Sequence, residues 1–195
     1  MDFVAGEPLD TKWPDMSDAQ KCGIARQLRE ILTTMRRAQR PPADGGEGGG
    51  GGGGGSLIGS CDGGAVRECR VRFTYTGGPF ADEAGFNDYL IKDVYKAAPT
   101  QIRNALARRL RTDHRIVFTH GDLVQHNILV RDDGRISGLI DWEYAGWYPE
   151  YWEYVKFFQR HADHRDWKDY AADIFPQLYD DELVDYQALV HWQHT

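Results

Sequence analysis

Asp122, Asn127 and Asp141, two carboxylates and a carboxamide, are spaced in this sequence where a metal-bound phosphate could be handled. The first two fall in Phe118-Thr119-His120-Gly121-Asp122-Leu123-Val124-Gln125-His126-Asn127-Ile128-Leu129-Val130, and the third in Ile140-Asp141-Trp142-Glu143. Phosphoryl transfer asks little of a protein beyond positioning and charge neutralisation, because the transferring group is loosely bonded in its transition state. One acid has to orient the acceptor hydroxyl, and Asp122, in a polar loop, suits that role. Asn127 and Asp141 offer the hard oxygen ligands that Mg²⁺ prefers beside phosphate oxygens and water.

Hydrophobic patterning indicates the elements that must hold these groups. Ile116 to Phe118 delivers the chain into the loop, Ile128 to Val130 leads away, Arg131-Asp132-Asp133-Gly134 turns, and Ile136 to Ile140 returns to Asp141. That is a hairpin with acids at its open end. A carboxylate right after an apolar run is costly to bury without a cation or donor, which favours a metal beside Asp141. Upstream, Ser17-Asp18-Ala19-Gln20 is a capping-box signature, and Ile24, Leu28, Ile31, Leu32 and Met35 predict a helix running to about Arg40. Alternation permits a strand over Val71 to Tyr75. Phe86, Leu90, Ile91, Val94 and Tyr95 mark a second helix that Pro99 ends, and Ile102, Leu106 and Leu110 a third. Trp152, Val155, Phe157 and Phe158 predict a buried helix, and Leu183, Val184, Leu189 and Val190 a last one.

The spacing His120-x-Asp122-Leu123-x-x-x-Asn127 matches the protein-kinase catalytic loop H-x-D-L-x-x-x-N, with Asp141 where a metal-binding Asp would follow. His-Gly-Asp-Leu, Asn-Ile-Leu-Val and Gly-Leu-Ile-Asp-Trp-Glu together resemble the fungal branch of the aminoglycoside phosphotransferase family. Phe3-Val4-Ala5-Gly6-Glu7-Pro8-Leu9 is similar to the segment that joins that family's two lobes, and Gly78-Pro79-Phe80 with Glu83, Phe86 and Asn87 to its stretch upstream of the loop. The resemblance implies an α+β, protein-kinase-like large lobe, mainly helical, with a small β-hairpin carrying the catalytic and metal-binding loop. It also implies ATP and Mg²⁺ as cofactors and transfer of the γ-phosphate to a small-molecule hydroxyl.

The same resemblance carries roles to individual positions. Asp122 would be the catalytic acid, Asn127 and Asp141 the metal ligands, and His120 and Glu153 loop-stabilising residues, with Glu at 153 where relatives more often have Asp. Trp142, Glu143, Trp147 and Tyr148 would line part of the acceptor pocket, and aromatic walls with an acid suit an amine-bearing acceptor. Phe3 and Val4 would offer backbone to an adenine. The family's small N-terminal β lobe, with its phosphate-covering loop and lysine, is expected to be absent from this chain. Weak or no turnover by the chain alone is the resulting expectation, with a non-catalytic remnant or binding module as the alternative.

Composition fits one domain over 1–195, with the Pro- and Gly-rich segment 41–57 as a flexible insert. The glycine tract from Gly45 to Gly55, broken only by Glu47, loses too much backbone entropy to hold one phosphate-cradling shape. A formal charge of −7 argues against nucleic-acid partners. Arg103, Arg108, Arg109, Arg111 and Arg115 interleave with Leu106 and Leu110 as a solvated helix face. Cys22, Cys61 and Cys69 lack paired spacing and read as reduced thiols, His161-x-x-His164 reads as surface histidines, and no membrane-spanning run or leader is evident. A cytoplasmic location is the expectation.

Overall fold

Ser17 caps the first long helix as its sequence predicts: its side chain accepts from the Gln20 amide while Gln20 reaches back to the Ser17 backbone, an arrangement that contributes about 1 kcal/mol. The computed structural model describes residues 4–40, 58–70, 73–92, 94 and 98–193. The glycine-rich segment 41–57, Phe3, Val71 and Tyr95 lie outside the described residues.

Among the described residues the chain forms seven α-helices and eight short strands, an α+β architecture. Strand β1 (Glu7–Pro8) leads into α1 (Leu9–Lys12) and then α2 (Asp18–Met35). Strands β2 (Gly59–Ser60), β3 (Val66–Arg70) and β4 (Phe73–Gly77) precede α3 (Glu83–Lys92) and α4 (Thr100–Arg109). Next come β5 (Ile116–Thr119), β6 (Ile128–Val130), β7 (Ile136–Leu139) and β8 (Gly146–Pro149). Helices α5 (Trp152–Gln159), α6 (Ala171–Ile174) and α7 (Asp180–His191) complete the described chain. Helix α2 stops at Met35, five residues short of the expected end, because Arg37 and Ala38 close tight turns onto Thr34 and Met35.

Three small antiparallel sheets result, ordered β1-β6-β7, β2-β8-β5 and β3-β4. The β6-β7 hairpin is the one the sequence predicts, with Ile128 opposite Leu139. Strand β5 does not join it. It pairs instead with β8, Thr119 opposite Gly146, so the loop after β5 leaves one sheet and enters another. The run Val71 to Tyr75 is only partly described, and its ordered residues belong to β4 in the β3-β4 hairpin.

The core is aromatic and sits where α3, β8, α5 and α7 meet. Phe86 and Tyr186 approach Trp152 edge-on, at 5.0 and 5.3 Å between ring centroids, and Tyr148 stacks on it at 5.5 Å. Such pairs add to the burial of their area. Arg109, Arg111 and Arg115 are indeed exposed, and pair with Asp185, Asp113 and Glu150 respectively. No helix among the described residues is long and apolar enough to cross a membrane.

His114 ties three parts of this scaffold together. Its Nδ1 lies 2.7 Å from Glu83 Oε1 on α3 and its Nε2 3.1 Å from Glu182 Oε1 on α7. Burial disfavours charge on the ring, but the two glutamates outweigh it and hold the His114 pKa above its ordinary 6.5. A raised folded-state pKa means that this stabilisation is fully present below 6.5 and is lost as pH rises through the higher folded value. The melting temperature should therefore fall across that window, and His114→Gln should remove that part of the fall. An unchanged pH profile in the variant would discount the tie.

Candidate active site

The loop between β5 and β6 would splay without a partner for its backbone, and α5 supplies one. Glu153, in the first turn of α5, is 3 % exposed, and its two carboxylate oxygens accept the His120 amide at 2.6 Å and the Gly121 amide at 3.0 Å. Burial pushes the Glu153 carboxyl up to about 7 even though both amides favour its charged form. Gly121 is required at its position. Its φ is +82°, and a Cβ there would lie 2.7 Å from the Tyr144 carbonyl oxygen.

His120 stitches the loop to the hairpin. Its Nδ1 accepts the Asp122 amide at 3.3 Å, which leaves Nε2 as the proton-bearing nitrogen donating to the Ile140 carbonyl at 3.0 Å. The ring is fully buried, and burial lowers its pKa, so it serves as a neutral brace. Asn127 closes the other side: its carbonyl accepts the Ile140 amide at 2.9 Å, and its side-chain Nδ2 donates to the Asp122 carbonyl at 3.1 Å and to Asp122 Oδ2 at 3.3 Å.

Asp122 is 1 % exposed. Burial raises its pKa, and Arg160 opposes that rise by gripping both oxygens, Nε to Oδ1 at 2.6 Å and Nη2 to Oδ2 at 2.7 Å. Asp141 follows β7 and is exposed, with the only positive φ among described non-glycine residues, +62°. A left-handed aspartate is a strained conformation of the kind that persists at functional sites. The charge of Asp141 is felt at both His120 and Asp122.

The backbone bond from the Ile140 amide to the Asn127 carbonyl brings together the two chain segments that carry the hard oxygens, the Asn127 carboxamide and the Asp141 carboxylate. Among the described residues no three His, Cys, Asp or Glu side chains converge as a cage. A sparse oxygen set suits Mg²⁺, which keeps several waters and takes phosphate oxygens alongside one or two protein ligands.

The aromatic and acidic residues beyond Asp141 divide. Trp142 is 40 % exposed, stacks on Phe118 and sits 4.5 Å from the His120 ring. Glu143 is exposed and pairs with Arg67 on β3 at 3.2 Å. Trp147 is buried against Phe118, and Tyr148 is wholly buried beside Trp152 and donates to the Arg67 carbonyl, so Tyr148 presents no surface to a ligand. Val4 is exposed and lies against Gly138 of β7. His164, expected at the surface, is partly buried and bonds the Asp10 carbonyl at 2.7 Å.

Sequence reasoning missed Arg160 and Arg67. Arg160 caps the C-terminus of α5, 38 residues after the acid it holds. Its one sequence trace is a seven-residue spacing from Glu153, two helical turns, which puts both on one face of α5.

The sequence matches the phosphotransferase enzyme family over residues 1–189. The chain belongs to that family. This phosphotransferase chain also resembles solved aminoglycoside phosphotransferases. A thermostable mutant of aminoglycoside phosphotransferase APH(4)-Ia aligns at a TM-score of 0.56 with 14 % identity, over 97 % of this chain and 61 % of its own length. A ternary complex of such a mutant with ADP and hygromycin B aligns at 0.57 with 16 % identity, over 97 % and 60 %. The aminoglycoside-3'-phosphotransferase of type VIII aligns at 0.55 with 14 % identity, over 98 % and 67 %. At these identities the likeness is one of fold. The chain spans about three fifths of the length of the APH(4)-Ia structures. No curated protein matches it.

Replacing Glu153 by Gln leaves one of the two amides without an acceptor, which should cost about 1–3 kcal/mol in urea unfolding at alkaline pH. The folded protein holds the Glu153 proton up to about 7, against an ordinary 4.5, so wild-type stability should fall between those values and the Gln variant should lack that slope. Equal stability and equal slopes would remove Glu153 from its bracing role. Gly121→Ala should also unfold more easily, by more than 1 kcal/mol on the strain of its backbone alone.

Proposed function

We propose that this chain is the larger, C-terminal lobe of a protein-kinase-like phosphotransferase that uses ATP and Mg²⁺ to phosphorylate a hydroxyl of a small molecule. The observation that carries the reading is the joint fixing of Asp122, Asn127 and Asp141 at the open end of one hairpin, by Glu153 and His120. A structural loop would not need a buried carboxylate under its backbone, a histidine sealed as a neutral brace and a left-handed aspartate beside them. Membership of the phosphotransferase family and the fold shared with aminoglycoside phosphotransferases support the same reading.

Each side chain then has a task. Asp122 accepts the hydrogen bond of the acceptor hydroxyl and draws off its proton as the phosphoryl group leaves ATP. Asn127 and Asp141 would hold the Mg²⁺ ion. When bound, that ion supplies charge neutralisation at the phosphate oxygens. His120 takes no proton in this scheme, because burial keeps its ring neutral and both nitrogens are engaged. Trp142 and Glu143, at the exposed rim, are the residues best placed to meet an acceptor, and an amine on that acceptor would compete with Arg67 for Glu143. Val4, against β7, is placed beside the hairpin where an adenine-contacting linker would run.

Calorimetry tests the ion site. Mg²⁺ with ATP should give binding heat with this chain, and Asp141→Asn should weaken it by roughly tenfold or more. Equal isotherms would reject the metal role. In phosphate-transfer assays on a full-length protein that also carries the small β lobe, Asp122→Asn should lower turnover by about a hundredfold with nucleotide affinity nearly unchanged. Normal turnover by that variant would refute the assignment.

A further inference from the structure

The Arg160 contact has a geometry that a passing surface ion pair lacks. The guanidinium reaches both oxygens of the Asp122 carboxylate: Nη2 donates a hydrogen bond to Oδ2 at 2.7 Å, and Nε lies 2.6 Å from Oδ1 as an ion-pair contact outside hydrogen-bond geometry. One hydrogen bond and a second close charge contact from the same planar group hold the carboxylate more firmly than a single point charge would. The acid is 1 % exposed, while the Arg160 side chain retains 24 % exposure and its guanidinium lies 5.7 Å from the Tyr144 ring centre. Helix α5 therefore grips the loop twice from one face, Glu153 on its backbone and Arg160 on its reactive carboxylate. The second grip has an evident competitor. Asn127 touches Asp122 Oδ2 through the nitrogen of the same carboxamide whose oxygen is proposed to bind the ion. A carboxylate so close to a divalent cation would ordinarily join its ligands, and an acid bound to metal cannot accept a hydroxyl proton.

We propose that Arg160 is a positioning residue that keeps the Asp122 carboxylate out of the metal's coordination shell and thereby reserves it for the acceptor. The proposal rests on the phosphotransferase reading for what Asp122 is reserved for. Its geometric part concerns only Arg160, Asp122 and a divalent ion. Removing the guanidinium frees a carboxylate beside Asn127, so metal affinity rises rather than falls, the opposite of what loss of a purely structural ion pair brings. Lysine, a point charge, can hold one oxygen only and should release the acid in part.

The test uses Mn²⁺ alone as the probe, titrated into the whole chain and counted as free ion by electron paramagnetic resonance. Four proteins are compared: wild type, Arg160→Gln, Arg160→Lys, and Arg160→Gln combined with Asp122→Asn, each checked for folding by circular dichroism. Arg160→Gln should tighten Mn²⁺ binding by roughly tenfold, Arg160→Lys by less, and the double variant should return to the wild-type affinity or below it. If Arg160→Gln does not fold, Arg160→Lys decides on the same sign. Unchanged or weaker Mn²⁺ binding in the folded single variants, or a gain that survives the loss of Asp122, would overturn the proposal. Failure of the phosphotransferase reading shows elsewhere, as Mg²⁺ and ATP heats that do not depend on Asp141, because the Mn²⁺ titration contains no nucleotide.

Discussion

Glu153 sits beneath the loop it holds, and the two amides it accepts are the first backbone groups after β5 ends. Burying a carboxylate is expensive unless its oxygens are satisfied, and here the satisfaction comes from two backbone amides with no other partner among the described residues. Each side of that contact needs the other. The sheet makes the meeting local: β8 pairs with β5, ending Thr119 opposite Gly146, and the chain then turns into α5 within three residues of Pro149. The strand that flanks the loop's entry therefore feeds the helix that braces it.

From that contact the rest of the site is built outward. With His120 and Gly121 held, the His120 ring reaches Ile140, and Asn127 reaches both Ile140 and Asp122. The hairpin end and the loop become one unit, and Asp141 is carried on it in a left-handed conformation. The arrangement concentrates negative charge, since the charge of Asp141 is felt at Asp122. Arg160 balances part of that charge at the buried acid and leaves the exposed one open to a cation.

Much of this was legible in the sequence where the signal is local. The capping box at Ser17, the β6-β7 hairpin and the helices around Phe86, Leu106, Trp152 and Leu189 follow from short-range patterning, and the structure bears them out. Strand β8 was not legible. The alternation of Gly146-Trp147-Tyr148-Pro149 is hidden by burial on both faces, and only pairing with β5 makes it a strand. Tyr148 drew attention as a ligand wall for the same reason: an aromatic with a polar tip looks identical in sequence whether it faces solvent or, as here, the core. Arg160 escaped because its ion pair spans 38 residues and leaves only a faint helical spacing from Glu153, whereas His120, Asp122 and Asn127 sit within one recognisable spacing.

The central claim is that one divalent ion binds between the Asn127 loop and the strand end at Asp141. Paramagnetic broadening of backbone amide signals by Mn²⁺ with ATP measures this without reference to turnover. The account predicts that amides of 121–129 and 140–143 are lost first while those of α7 stay sharp. Broadening centred elsewhere in the chain, or equal broadening in Asp141→Asn, would contradict it.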